Sequence, residues 1–170
     1  MNVKLLEIKS FRWLIFGICI GCKVSPIPAP PFTAVVYYKS QGGADLLNPQ
    51  TSGYFDKDGI RVLDVFTNAK GVSLTIPSHL NDYEPSPCSS YVCQPDATGF
   101  YSVQFVVNTL NNVTKELIQL NTSVTDTLTY QTTSAAPEIG YLVNKIFYKG
   151  QVVWTTGTDK VPSAVITIVK

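Results

Sequence analysis

Tyr101-Ser102-Val103-Gln104-Phe105-Val106-Val107 is the stretch on which the reading of the fold turns. On an extended chain Tyr101, Val103, Phe105 and Val107 share one side, while Ser102, Gln104 and Val106 share the other. That period of two marks a strand with one face on a core. The alternation recurs in Val72, Leu74 and Ile76 against Ser73 and Thr75, where Pro77 stops the run. It recurs again in Val124, Leu128 and Tyr130 against Thr125, Thr127 and Thr129. Residues 34–38 and 60–66 are β-rich, and the apolar run within 161–169 reads as an inner strand. Residues 145–154 read as a hairpin, because Lys149-Gly150 sits between two β-rich arms and glycine tolerates the positive φ of a tight turn. Residues 113–120 are taken as a strand, since eight residues without a strong cap make a weak helix. With turns about every 8 to 12 residues, the pattern predicts an all-β fold. Its expected form is an antiparallel immunoglobulin-like β-sandwich of about seven to nine strands. The core tryptophan and bridging cysteines of antibody domains are missing, so the likeness is one of architecture.

The N-terminal segment has a different character. Lys4, Lys9 and Arg12 stand against a single Glu7, an apolar run occupies 13–20, and Gly21-Cys22 closes it. A basic region, a short apolar region and a small residue before a cut make a secretory signal, and the run is shorter than the roughly 20 residues of a membrane span. Ile20-Gly21-Cys22 resembles the lipobox of bacterial lipoproteins, with Cys19 at a position that prefers an aliphatic residue. The resemblance implies that Cys22 is acylated and becomes the new N-terminus. An ordinary secretory signal, with Cys22 a stray thiol or removed, is the competing reading. Residues 23–31 (Lys-Val-Ser-Pro-Ile-Pro-Ala-Pro-Pro) suit a tether. The expected organisation is a signal peptide at 1–21, a lipidated Cys22 with a Pro-rich tether at 22–32, and a β-sandwich domain at 33–170. No acidic run follows Cys22, which favours a lipid-anchored place on the periplasmic side of the outer membrane.

Removing residues 1–21 takes away three bases and one acid, moving the formal charge from +1 to −1. A near-neutral chain without a basic stripe lacks the electrostatic footprint of a nucleic-acid binder. What remains is long enough for one domain with a real core. Cys88 and Cys93 are the only thiols left after Cys22, and an even pair in an exported chain reads as a disulfide. Two thiols and one histidine, His79, fall short of a structural zinc site.

Candidate chemistry is sparse. Asp56-Lys57-Asp58-Gly59 places carboxylates at i and i+2 before a glycine. Such a pair can share calcium, with Asp45 as the nearest further carboxylate, but a full loop needs more donors. The stronger reading is a turn that feeds the strand over 60–66. Ser78, His79 and Asp82 lie close in sequence and could serve a hydrolase only by converging in space. No G-x-S-x-G element presents a serine. No cofactor is expected, and the domain is read as non-enzymatic. Tyr83 and Tyr91 flank the cysteine loop, where exposed rings could stack on a glycan or pack on an envelope protein. Asn112-Val113-Thr114 and Asn121-Thr122-Ser123 match the N-glycosylation pattern but read as turns in a bacterial lipoprotein.

Gly43-Ala44-Asp45-Leu46-Leu47-Asn48-Pro49, continued by Gly53-Tyr54-Phe55-Asp56-Lys57-Asp58-Gly59-Ile60-Arg61-Val62, resembles a segment of small uncharacterised lipoproteins of Bacteroidetes-type bacteria. Asp126-Thr127-Leu128 resembles the Asp-Thr-aliphatic site that such bacteria O-glycosylate on the threonine. These resemblances imply a cell-envelope lipoprotein and carry no activity with them. The expected role is a binding or assembly module, with a structural subunit of an envelope complex as the alternative.

Overall fold

The structure is a computed structural model and describes residues 32–67, 70–78, 88, 90–108, 115–134, 141–157 and 163–170. Ten strands appear among them: β1 (Phe32–Lys39), β2 (Arg61–Thr67), β3 (Ser73–Pro77), β4 (Val92–Cys93), β5 (Ser102–Val107), β6 (Lys115–Gln119), β7 (Thr125–Ser134), β8 (Tyr141–Tyr148), β9 (Gln151–Thr155) and β10 (Ser163–Val169). A four-stranded sheet runs in the order β10-β1-β5-β4, and a six-stranded sheet runs β3-β2-β6-β7-β8-β9. The molecule is an all-β sandwich. Phe32, placed in the tether by sequence, is the first residue of β1.

The core follows from alternation. Ala34, Val36 and Tyr38 of β1, Val103, Phe105 and Val107 of β5, and Ala164, Ile166 and Ile168 of β10 are buried. They join Val62, Ile118, Leu128, Tyr130 and Ile146 of the six-stranded sheet in one hydrophobic cluster. Residues 115–119 of the segment 113–120 are strand β6, paired to β2 and β7. The 145–154 hairpin forms β8 and β9, with Lys149 (φ 48°) and Gly150 (φ 78°) both left-handed. Positive φ at both turn positions suits the right-handed twist of the arms.

Three expectations change. The pairing is not antiparallel throughout, because β1 runs parallel to β10 from Thr33–Ser163 to Lys39–Val169. The 161–169 run is not an inner strand: among the described residues β10 has one sheet neighbour, and Val165 and Val169 stay exposed on its outer side. Apolar composition predicted burial there, but only one face of an edge strand meets the core. Leu74 in β3 is exposed for a different reason: it stands opposite Phe66 in the inward row, but β3 is the other sheet's edge and the core does not reach across it.

The Asp45-Leu46-Leu47-Asn48-Pro49 segment has a structural role. Asp45 accepts from Leu47 N (2.9 Å) and, across the fold, from Tyr101 N (2.8 Å). Leu46 and Leu47 are buried in the core, and Asn48 Oδ1 accepts from Gln50 N (2.9 Å). The motif closes one end of the sandwich, which accounts for an acid, two leucines and a turn in that order.

Candidate functional site

Beside β4 lies an open, shallow groove of about 350 Å³ lined by Lys57, Asp58, Ile60, Arg61, Ser90 and Tyr91. Its volume falls at the small end of ligand sites, which span about 300–1,000 Å³. Two candidates singled out from sequence for different reasons, Asp58 and Tyr91, meet there. Arg61, Lys57 and Ser90 were not anticipated. Nothing in a strand's first residue or a turn lysine marks either as site-forming, and only the approach of the β4 loop to β2 brings them together.

Each wall has a local cause. Asp56 caps the single turn Lys57–Gly59 by accepting from Asp58 N (3.1 Å), so the Asp-Lys-Asp-Gly run is the turn that its residues suggest. The Arg61 guanidinium is pinned from one side, because Nη1 donates to Asp58 O (2.7 Å) and to Ile60 O (2.8 Å). Ser90 accepts from Val92 N (3.2 Å), shaping the bend that enters β4. Tyr91 Oη donates to Ser78 O (2.6 Å), which fixes the ring. Burial raises the Tyr91 pKa, Asp64 raises it further and Arg61 opposes the rise, so the hydroxyl remains a donor.

Cys88 and Cys93 form a disulfide, with Cα atoms 4.3 Å apart, that ties this loop to β4. Closing so short a loop contributes about 2 kcal/mol. The double substitution Cys88→Ser/Cys93→Ser is expected to lower stability by that amount and to loosen Ser90 and Tyr91. Denaturant midpoints with and without reductant check this, and equal midpoints would mean that other bonds hold the loop.

The other sequence candidates fall elsewhere. Ser78 is buried and spends its hydroxyl on Val106 O (3.3 Å). Its amide donates to Val62 O (2.9 Å), so Ser78 acts as a bolt between the sheets. His79, Asp82 and Tyr83, like Cys22 and the tether, lie outside the described residues. Asp45 is committed to backbone amides and does not join Asp56 and Asp58. Among the described residues no group of three or more His, Cys, Asp and Glu gathers to hold a metal. Asn121 Oδ1 accepts from Ser123 N and Val124 N (both 2.8 Å), which makes that sequon a turn.

Sequence reading also missed three carboxylates inside the sandwich. Asp64 and Glu116 are cross-strand partners in β2 and β6, and both are fully buried. Tyr130 Oη donates to Glu116 Oε2. Burial pushes the Glu116 pKa well up and Asp64 adds to the rise, against the lowering effect of Tyr130. Asp126, 4% exposed, accepts from Tyr148 Oη (2.9 Å) and Lys170 Nζ (2.6 Å).

The register also locates the groove along the sandwich. Arg61 pairs with Gln119, and the adjacent Ile118 pairs with Asp126, whose partner Lys170 follows β10. Lys170 N donates to Lys39 O at the end of β1 (2.9 Å). On the opposite wall Tyr91 O accepts from Gln104 N (2.8 Å), the partner of Val35 in β1, so the groove lies along the flank of the sandwich. Fold and groove together define an all-β sandwich with a loop-walled surface site. No protein-family model, curated protein or solved structure matches the chain.

Proposed function

We propose that this chain is a lipid-anchored binding module of the bacterial cell envelope, an immunoglobulin-like β-sandwich attached to the outer membrane through Cys22, facing the periplasm, and without enzymatic activity. The observation that carries the reading is the groove itself, walled by a pinned Arg61, by Lys57 and Ser90, and by a Tyr91 ring held through its hydroxyl. Nine residues, 23–31, separate Cys22 from the first residue of β1, and a proline-rich chain of that length is enough to span about 30 Å, at about 3.1 Å per residue. A tether of that reach would hold the groove clear of the lipid surface. The composition of the groove supports binding rather than turnover, because Ser90 spends its hydroxyl on the backbone of Val92 and, among the described residues, no thiol or imidazole lines the groove.

The intact, unreduced mass of protein extracted from membranes tests the anchor. The expected mass is that of residues 22–170 plus a diacylglyceryl group and an N-acyl chain, less two hydrogens for the disulfide. Hexose-sized surplus mass would assign a glycan, with Thr127 the first position to examine. Cys22→Ser is expected to move the protein from the membrane fraction to the soluble one, because one or no acyl chain holds only marginally. A variant that stays in the membrane fraction would remove the lipoprotein reading.

One observation favours a structural subunit as a second reading. Among the described residues no strand pairs with the outer edge of β10, whose residues Ser163–Val169 carry neither charge nor proline. Unguarded edges of that kind can accept another strand. Co-purification with a larger envelope complex that survives Tyr91→Ala would support that reading over the groove.

A further inference from the structure

We infer that the groove beside Tyr91 takes the carboxylate of an acidic sugar, such as a uronate unit of a polysaccharide. The inference rests on the groove being the ligand site and adds the class of ligand.

The argument starts from Arg61. A guanidinium carries five N–H donors in a planar fork. Here Nη1 is taken by the carbonyls of Asp58 and Ile60, which hold the plane in place. Among the described residues nothing engages Nε or Nη2. That leaves an oriented edge with two parallel donors, the arrangement that binds a carboxylate through two hydrogen bonds. Among the described residues Lys57 adds a second positive charge to the same groove, and Asp58 supplies its single carboxylate. The buried acids behind Tyr91 do not cancel this field in full, because Glu116 is held toward its neutral form by burial.

The rest of the lining selects a sugar over other anions. Tyr91 offers a ring fixed by its own hydroxyl bond, and such a ring suits the C–H face of a pyranose. Asp58 and Ser90 supply acceptors for hydroxyl groups around the rim of that ring. Among the described residues Ile60 is the only aliphatic wall, and it is buried. A predominantly apolar ligand would find little to cover it. The openness of the site fits a polymer unit better than a small enclosed metabolite.

The test uses the full chain in detergent. Tetragalacturonate, the same oligomer with its carboxylates methyl-esterified, and inorganic phosphate are titrated by calorimetry. Saturable binding of the acid is expected, with the ester at least tenfold weaker and phosphate unable to displace the acid at equal concentration. Arg61→Lys, which keeps the charge and loses the fork, is expected to weaken the acid by about tenfold and to leave the ester unchanged. Lys57→Gln should reduce the salt dependence of binding and keep the preference for the acid. Unchanged heat-unfolding midpoints show that the variants are folded.

Equal affinity for acid and ester would overturn the carboxylate assignment while leaving the groove as a glycan site. Displacement by phosphate would reduce the site to a general anion site. Binding of none of the three would remove the groove from the proposed function as well.

Discussion

Asp126→Ala is expected to lower the free energy of unfolding by about 3 kcal/mol, the low end of the cost of breaking a buried ion pair. The low end applies because the Lys170 side chain is 23% exposed and can turn to water, whereas Asp126 at 4% cannot. The loss has several parts. Lys170 Nζ and Tyr148 Oη both donate to Asp126 Oδ1, and the Tyr38 hydroxyl sits beside the same carboxylate. Burial and that carboxylate push the Tyr148 pKa up to about 12, so its proton stays on the oxygen as a donor. A raised tyrosine pKa contributes stability that is present below the ordinary value of 10.0 and is lost as pH rises through about 12. In a domain of this size 3 kcal/mol corresponds to a fall in Tm of about 10 °C. Asp126→Asn should recover part of the loss, since an amide oxygen still accepts from Tyr148. Calorimetric scans of the two variants decide the matter. An alanine variant within about 0.5 kcal/mol of wild type would show that this cluster is not a clasp.

Glu116→Gln is expected to act in the opposite direction and to do so in a pH-dependent way. Burial raises the Glu116 pKa well above its ordinary 4.5, and the neighbouring Asp64 raises it further. The folded protein therefore keeps a proton that the unfolded chain releases. The stability from that proton is fully present below pH 4.5 and declines as pH rises toward the folded pKa. The slope is at most about 1.4 kcal/mol per pH unit for one proton. A glutamine cannot ionise. Its carbonyl can still accept from Tyr130 and its amide can donate toward Asp64. The variant should be the more stable protein at pH 7.5, and its advantage should shrink as pH falls to 4.5. Urea midpoints at pH 4.5, 6 and 7.5 measure the gap, and a gap that does not change with pH would refute a buried neutral Glu116.

These two clusters also show where sequence reading stopped. Strand parity was legible: Val103, Phe105 and Val107 share one face and are buried as expected, while Gln104 and Val106 on the other face are half-buried and Ser102 there is buried too. The same parity places Asp64 with Val62, Glu116 with Ile118, and Asp126 with Leu128 and Tyr130. A carboxylate thus sits in each of these three inward rows. A polar residue in an apolar row reads as a strand end or a register break, because nothing local reveals its partner. Those partners are remote in the chain: Tyr130 is 14 residues from Glu116, and Lys170 is 44 from Asp126.

The groove divides along similar lines. Tyr91 and Asp58 drew attention as residue types in loops. Arg61 did not, since its orientation comes from carbonyls of a turn whose shape depends on the Asp56 cap. Ser78 has the sequence neighbours of a nucleophile in His79 and Asp82, yet it is a bolt between the sheets, because β3 ends beside β2 and β5.

Short-range order can be read from this chain alone: alternation, the Lys149-Gly150 turn, the Asp56 cap and the cysteine pair involve neighbours whose geometry depends on residue type. Which strands lie at the edges, the parallel union of β1 with β10, the proton on Glu116 and the fork held out by Arg61 depend on groups far apart in sequence. Their energies come from burial and from long-range pairing, and those exist only once the two sheets have closed on each other.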